Sequence, residues 1–197
     1  MQNNQADVVV LDAINLKEYY EGAYDSSNLE SPACYAIGRD EATMAPHPNV
    51  KNPVCESCAK CPKNQWGSGN KEKGKACKNT RRRAVIAASE HPEDEELYFA
   101  KMSVSQLKGW GAYVKGIAGQ YQLPPFAVVT RLKWNPDPVS QYRLGFSLVK
   151  PLPREGMEVI MRRVREARES ITFPFPEFQK PAEQAEAPEQ PKTKKKY

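Results

Sequence analysis

The chain has 197 residues, 29 Lys+Arg against 24 Asp+Glu, a formal net charge of +5 and 40% hydrophobic residues, enough for one domain with tails and a core that needs no disulfide staples. No apolar run approaches the ~20 residues that span a bilayer, and residues 1–7 lack a basic-then-apolar leader, so membrane and secreted readings are set aside and a cytoplasmic protein is expected. Two histidines, His47 and His91, leave little for histidine-dependent catalysis.

Residues 8–13 (VVVLDA) read as a short buried strand and residues 33–37 as another. Charge then changes abruptly. Residues 1–50 hold eight acids and two bases, a net of −6, whereas residues 51–83 hold ten bases and two acids, a net of +8. Local positive density of this kind attracts phosphate backbones through counterion release.

Four of the five cysteines fall inside that basic block. Cys55, Cys58, Cys61 and Cys77 read C-x2-C-x2-C-x15-C, with Gly67, Gly69 and Gly74 on the return path. Cysteines three apart aim two thiolates at one ion from a tight turn, and a distant fourth closes the shell. Three so close could not all pair as disulfides, and an intracellular chain would not keep them oxidised. A metal loop over residues 51–83 is therefore expected. Zinc is the expected metal, because four thiolates suit a closed tetrahedral structural site. An iron–sulfur cluster uses the same donors and is the alternative. Cys34, in an apolar Ala-Cys-Tyr-Ala setting, and His47, between two prolines, are reserve ligands.

Residues 83–88 and 96–102 follow as third and fourth strands. Ser103 and Gln106 form a capping box ahead of a helix in which Val104, Leu107, Gly111, Val114 and Ala118 recur at helical spacing. Residues 126–134 and 141–149 alternate most clearly, with Arg131, Lys133 and Arg143 on the faces opposite Leu132, Trp134, Tyr142 and Phe146. The Asn-Pro-Asp-Pro link at 135–138 makes them a hairpin. A second helix over 154–170 carries the stripe Met157, Ile160, Val164, Ala167 and Ile171. Residues 179–197 are rich in Pro, Glu, Gln and Lys and read as a disordered tail.

This order predicts an α+β domain over residues 1–178. It is mainly antiparallel β, an OB-like barrel with the four-cysteine loop inserted, one helix between strands and a C-terminal helix. Single-strand binding needs a basic groove and aromatic faces. The candidates are Trp66, Lys71, Lys73, Lys75, Lys78, Arg81, Arg82, Arg83, Arg131, Lys133, Trp134 and Arg143. Trp66, between Gln65 and Gly67 in a polar basic loop, has little core to join, whereas Tyr98, Leu132, Leu144 and Phe146 read as core.

The stretches Cys58-Ala-Lys-Cys-Pro-Lys-Asn-Gln-Trp-Gly-Ser, Gly74-Lys-Ala-Cys-Lys-Asn-Thr-Arg-Arg and Leu123-Pro-Pro-Phe-Ala-Val-Val-Thr resemble a group of bacteriophage-encoded proteins. These are regarded as zinc-containing single-stranded-DNA-binding or replication-associated proteins. The resemblance covers roughly residues 30–150. It implies Cys58, Cys61 and Cys77 as ligands, with Cys55 or Cys34 as the fourth, and a role in phage DNA replication or recombination in the host cytoplasm, with proteins of those processes as partners. The expected function is therefore non-sequence-specific single-stranded-DNA binding, without catalysis, the metal holding the basic loop in shape. Two other classes compete. One is a zinc-stapled protein-interaction adaptor or transcription regulator. The other is a metal-dependent nuclease, for which a closed four-thiolate shell leaves no open position.

Overall fold

The computed structural model describes residues 4–22, 30–138 and 141–176. Its spine is β1 (Gln5–Tyr19), followed by β2 (Cys34–Gly38), β3 (Lys78–Ala87) and β4 (Tyr98–Met102). Then come α1 (Val104–Tyr121), β5 (Val128–Asp137), β6 (Gln141–Pro151) and α2 (Met157–Ser170). The strands form one antiparallel sheet in the order β4-β3-β1-β5-β6, with β2 also on β1.

A register shift between Val10 and Asp12 lets β1 serve two cores. Strict alternation sends successive side chains to opposite faces, and one extra residue reverses the parity. Val8 and Val10 therefore join Val85, Leu132 and Trp110 beneath α1. Val9 and Leu11, and past the shift Ile14 and Leu16, join Ala84, Ile86 and Val129 beneath α2. The run Val-Val-Val-Leu reads as doubly buried because it is.

Ser103 opens α1 as its sequence predicts, its backbone N–H donating to Gln106 Oε1 at 3.0 Å. Trp110 and Ile117 are the buried residues of that glycine-rich helix. In α2 the stripe Ile160, Val164, Ala167 and then Ile171 is buried as its spacing requires.

Two expectations change. The sheet is open, since no ladder joins β4 to β6 among the described residues. With five residues, β4 ends one residue before α1 takes the chain off the sheet. The cysteine loop also ends earlier than 83, because β3 begins at Lys78 and its basic run pairs with β1 from Glu18↔Lys78 onward. The tail at 179–197 lies outside the described residues.

Candidate nucleic-acid interface and cysteine cluster

The segment between β2 and β3 is held by backbone bonds to its own turns rather than by an apolar core of its own. Cys58 N–H donates to Met44 O at 3.0 Å, and Cys77 N–H to Lys63 O at 2.8 Å. Pro62 to Asn64 form a single 3-10 turn directly after Cys61. Asn64, buried beneath it, donates to Cys58 O at 2.7 Å and accepts from Asn79 Nδ2 at 3.2 Å. The loop is thereby tied to β3. Gly69 is required at its turn, since a Cβ there would stand 2.0 Å from Lys73 O.

Cys34, Cys55, Cys58, Cys61 and Cys77 all line one cavity of about 20 Å³, together with Lys17 and Asn64. That is room for about one small ion or water. None of the five is in a disulfide. Cys58, Cys61 and Cys77 are buried, and Cys55 Sγ donates to Ser57 O at 3.2 Å. Burial, with a hydrogen bond to Cys61, pushes the Cys55 thiol up to about 12, and burial pushes Cys77 to about 11. Burial also raises Cys58, partly offset by the Lys17 ammonium. Among the described residues no group of three or more His, Cys, Asp or Glu side chains stands in a metal-holding arrangement. The donors are right in kind for zinc or an iron–sulfur cluster, and a bound cation would favour the thiolates that burial disfavours. His47 is occupied elsewhere: it stacks on Tyr35 at 5.0 Å, and its Nδ1 accepts from Asn49 N–H at 3.2 Å.

Trp66 stands out from the loop, 82% exposed. Lys60, Lys71 and Lys73 of the same loop and Lys78 at the start of β3 are also exposed, while Lys75 reaches Asn64 Oδ1 at 3.5 Å. The three arginines of β3 separate. Arg81 is partly exposed and meets Glu41 at 3.5 Å. Arg82, 5% exposed, donates to Ile171 O at 2.9 Å and Phe173 O at 2.5 Å. Arg83, 1% exposed, lies over the Trp110 ring at 4.0 Å, donates from Nε to Met102 Sδ at 3.3 Å, and is pulled down to about 9 by burial and by Arg81. Strand alternation is the reason: Arg82 faces α2 and its two neighbours face α1. As described, then, Arg82 and Arg83 are engaged in the fold and do not lie on the open surface.

On the hairpin, Arg131, Lys133 and Arg143 share a face as the alternation requires. Trp134 is half-buried in the core beneath α1. Tyr98 departs from its expected core position: it is 54% exposed at the start of edge strand β4, its hydroxyl donating to Glu96 at 2.7 Å. Leu132 is buried as expected, with Leu144 and Phe146 packed beside it.

Arg131 is clamped by Asp7 at 2.7 and 2.8 Å, which holds the Asp7 carboxyl below its ordinary value. A depressed carboxylate contributes stability above its unfolded value of 3.8 and loses it as pH falls through the lower folded value. Asp7→Asn should therefore flatten the stability profile below pH 3.8, read from urea midpoints across an acid series. An unchanged profile would show that the pair contributes nothing.

Two buried charges escaped sequence reasoning. Lys17 lies at the cavity wall and donates to Asn79 Oδ1 at 3.3 Å. Glu18, 0% exposed, accepts from Thr80 Oγ1 at 2.6 Å and pairs with Lys101. Burial and this carboxylate push the Tyr20 hydroxyl up to about 12. Apart from Tyr20, whose hydroxyl donates to Glu18 at 3.4 Å, their partners Asn79, Thr80 and Lys101 are 62 or more positions away, so a local window does not mark their burial. Comparison of the chain with protein-family models, curated proteins and solved structures finds no match.

Proposed function

We propose that the protein binds single-stranded DNA without sequence preference, through the basic loop between β2 and β3. The observation that carries this reading is Trp66, an 82% exposed indole in a lysine-bearing loop. An exposed indole costs solvation unless something stacks on it, and bases supply flat faces with phosphates beside them. The strand order supports the reading. β1 is shared by β3 and β5, β4 follows β3, a helix separates β4 from β5, and β6 follows β5. Read as a partly open OB-type barrel, this order would put oligonucleotide on its second and third strands and the loop entering the second. Here that loop is the cysteine loop.

Within this reading the cysteines hold one zinc, with an iron–sulfur cluster as the alternative, and the metal supplies shape rather than chemistry. A role in phage replication or recombination rests on the resemblance alone. No described helix is long and apolar enough to cross a membrane.

The test is binding of labelled oligothymidylate and of a duplex across a salt series. Single-strand preference is expected, with log K falling by about 0.7 per phosphate contact for each log unit of salt. Trp66→Ala should cost ~1–3 kcal/mol and leave that slope alone, because stacking releases few ions. Replacing Lys71, Lys73 and Lys78 together by Glu should flatten the slope without lowering the melting temperature. Binding that ignores salt and all four positions would overturn the proposal and leave the adaptor reading in its place.

A further inference from the structure

The chain leaves α2 in neither helix nor strand and crosses the outer face of β3 and β4 over residues 171–176. Ile171 is its anchor, fully buried in the core beneath α2. Beyond that anchor two aromatic rings lie on a polar groove. The guanidinium carbon of Arg82 sits 3.5 Å from the centre of the Phe173 ring, and Phe99 meets the same ring edge-on at 4.9 Å. Phe175 meets Tyr35 edge-on at 5.0 Å. Register puts Lys101 directly opposite Arg82, so both cations share this face. The groove continues past Phe175 as a cleft of about 400 Å³ between Tyr35 and Lys51–Val54, where the cysteine loop begins.

We propose that this groove is a second base-stacking site for single-stranded nucleic acid, and that Phe173 and Phe175 occupy it in place of bases. The inference rests on the function proposed above and extends it to the opposite side of β3. A flat ring against a guanidinium is the arrangement in which arginine holds a nucleobase. The carbonyl oxygen of Phe173, which accepts from Arg82 Nη1, stands where a base or phosphate oxygen would accept, while that of Ile171 stays on Arg82 with the anchor. Phe173-Pro174-Phe175-Pro176 carries its rings on alternate residues of an extended chain, about 6 Å apart, a step that one nucleotide of a stretched strand can match. The two rings of the occupant are held unequally. Phe173 remains 41% exposed and can lift readily, whereas displacing Phe175 gives up its packing on the core beneath α2 and the bond from Ser31 Oγ to Pro176 O at 2.5 Å.

The experiment compares the full chain with its F173A/F175A variant for binding a labelled oligothymidylate of about 20 nucleotides, long enough to cover both surfaces. The variant should bind about tenfold tighter, because apparent affinity is reduced by the fraction of chains whose groove is open. On the unmodified protein, saturating oligonucleotide should accelerate amide hydrogen exchange at Phe173 and Phe175, whose N–H groups are each followed by a proline that has none. That second readout decides the matter if the variant melts early. Unchanged or slower exchange at Phe173 and Phe175, or equal or weaker binding by a folded variant, overturns the inference and leaves the loop interface standing. Absence of oligonucleotide binding by both proteins removes the loop interface and this groove together.

Discussion

Replacing Cys58 or Cys61 with serine should strip the protein of metal and unfold residues 39–77, while the sheet stays folded. Freshly purified protein is expected to hold one zinc per chain by elemental analysis, and either variant none. Free energies of metal binding in small structural zinc modules run to ~10–16 kcal/mol. The loop has no comparable reserve, because its apolar contribution is a cluster of Ala36, Met44 and Cys58. The two cores of the sheet are built from β1, β3, β5 and the helices, and none of the five cysteines belongs to them. Proteolysis should therefore nick the variants between 51 and 77 and spare β1 and β3. Trp66 would lose its fixed position, so oligonucleotide affinity should fall with the metal. Brown protein with visible absorption would replace zinc by an iron–sulfur cluster. Neither metal in fresh protein would overturn the metal reading.

Arg82→Glu should be among the most destabilising single changes in the chain, at about 3–5 kcal/mol. The new carboxylate would face the two carbonyl oxygens that Arg82 now satisfies, at Ile171 and Phe173. It would also lie near Glu18, whose charge now favours the Arg82 cation. Against a typical total of 5–15 kcal/mol, such a loss unfolds a marginal domain. Its neighbour should behave in the opposite way. Arg83 Nη1 and Nη2 are buried with no hydrogen-bond partner among the described residues. Arg83→Met keeps the packing on Trp110 and removes an unpaired buried charge, so it should raise stability by about 1 kcal/mol or more. Urea midpoints of the two variants check both, and a destabilised Arg83→Met would mean that its guanidinium is satisfied after all.

These adjacent arginines show where sequence reading stops. Arg81, Arg82 and Arg83 read as one basic surface because a charge count carries no direction. Once Lys78–Ala87 is a strand, its side chains must part to opposite faces. Arg82 then goes under the segment after α2, and Arg83 goes under α1. The bulge in β1 is similarly invisible. Val8–Leu11 promise a strand buried on both sides, but no local pattern says that parity reverses before Ile14, because the shift is defined by pairing with β3. Lys17 and Glu18 lie past the predicted end of that strand, and their partners come from β3, from Lys101 of β4 and from the wall of the cysteine cavity.

The residues by themselves determined whatever depends on near neighbours. The Ser103–Gln106 box started α1, the Ile160–Val164–Ala167 stripe oriented α2, and alternation set the β5–β6 hairpin with Arg131, Lys133 and Arg143 on one face. The cysteine spacing marked a loop, and Trp66, among polar neighbours, emerged on its surface. Tertiary structure decided what depends on distant partners. It brought Cys34 of β2 to the cavity of the loop cysteines, left the expected barrel as an open sheet, and laid Phe173 on Arg82. The physical reason is the same in each case. A helix or hairpin is selected by energies summed over a few successive residues, whereas burial of a charge or convergence of thiols is fixed by contacts dozens of residues apart, made when the sheet assembles.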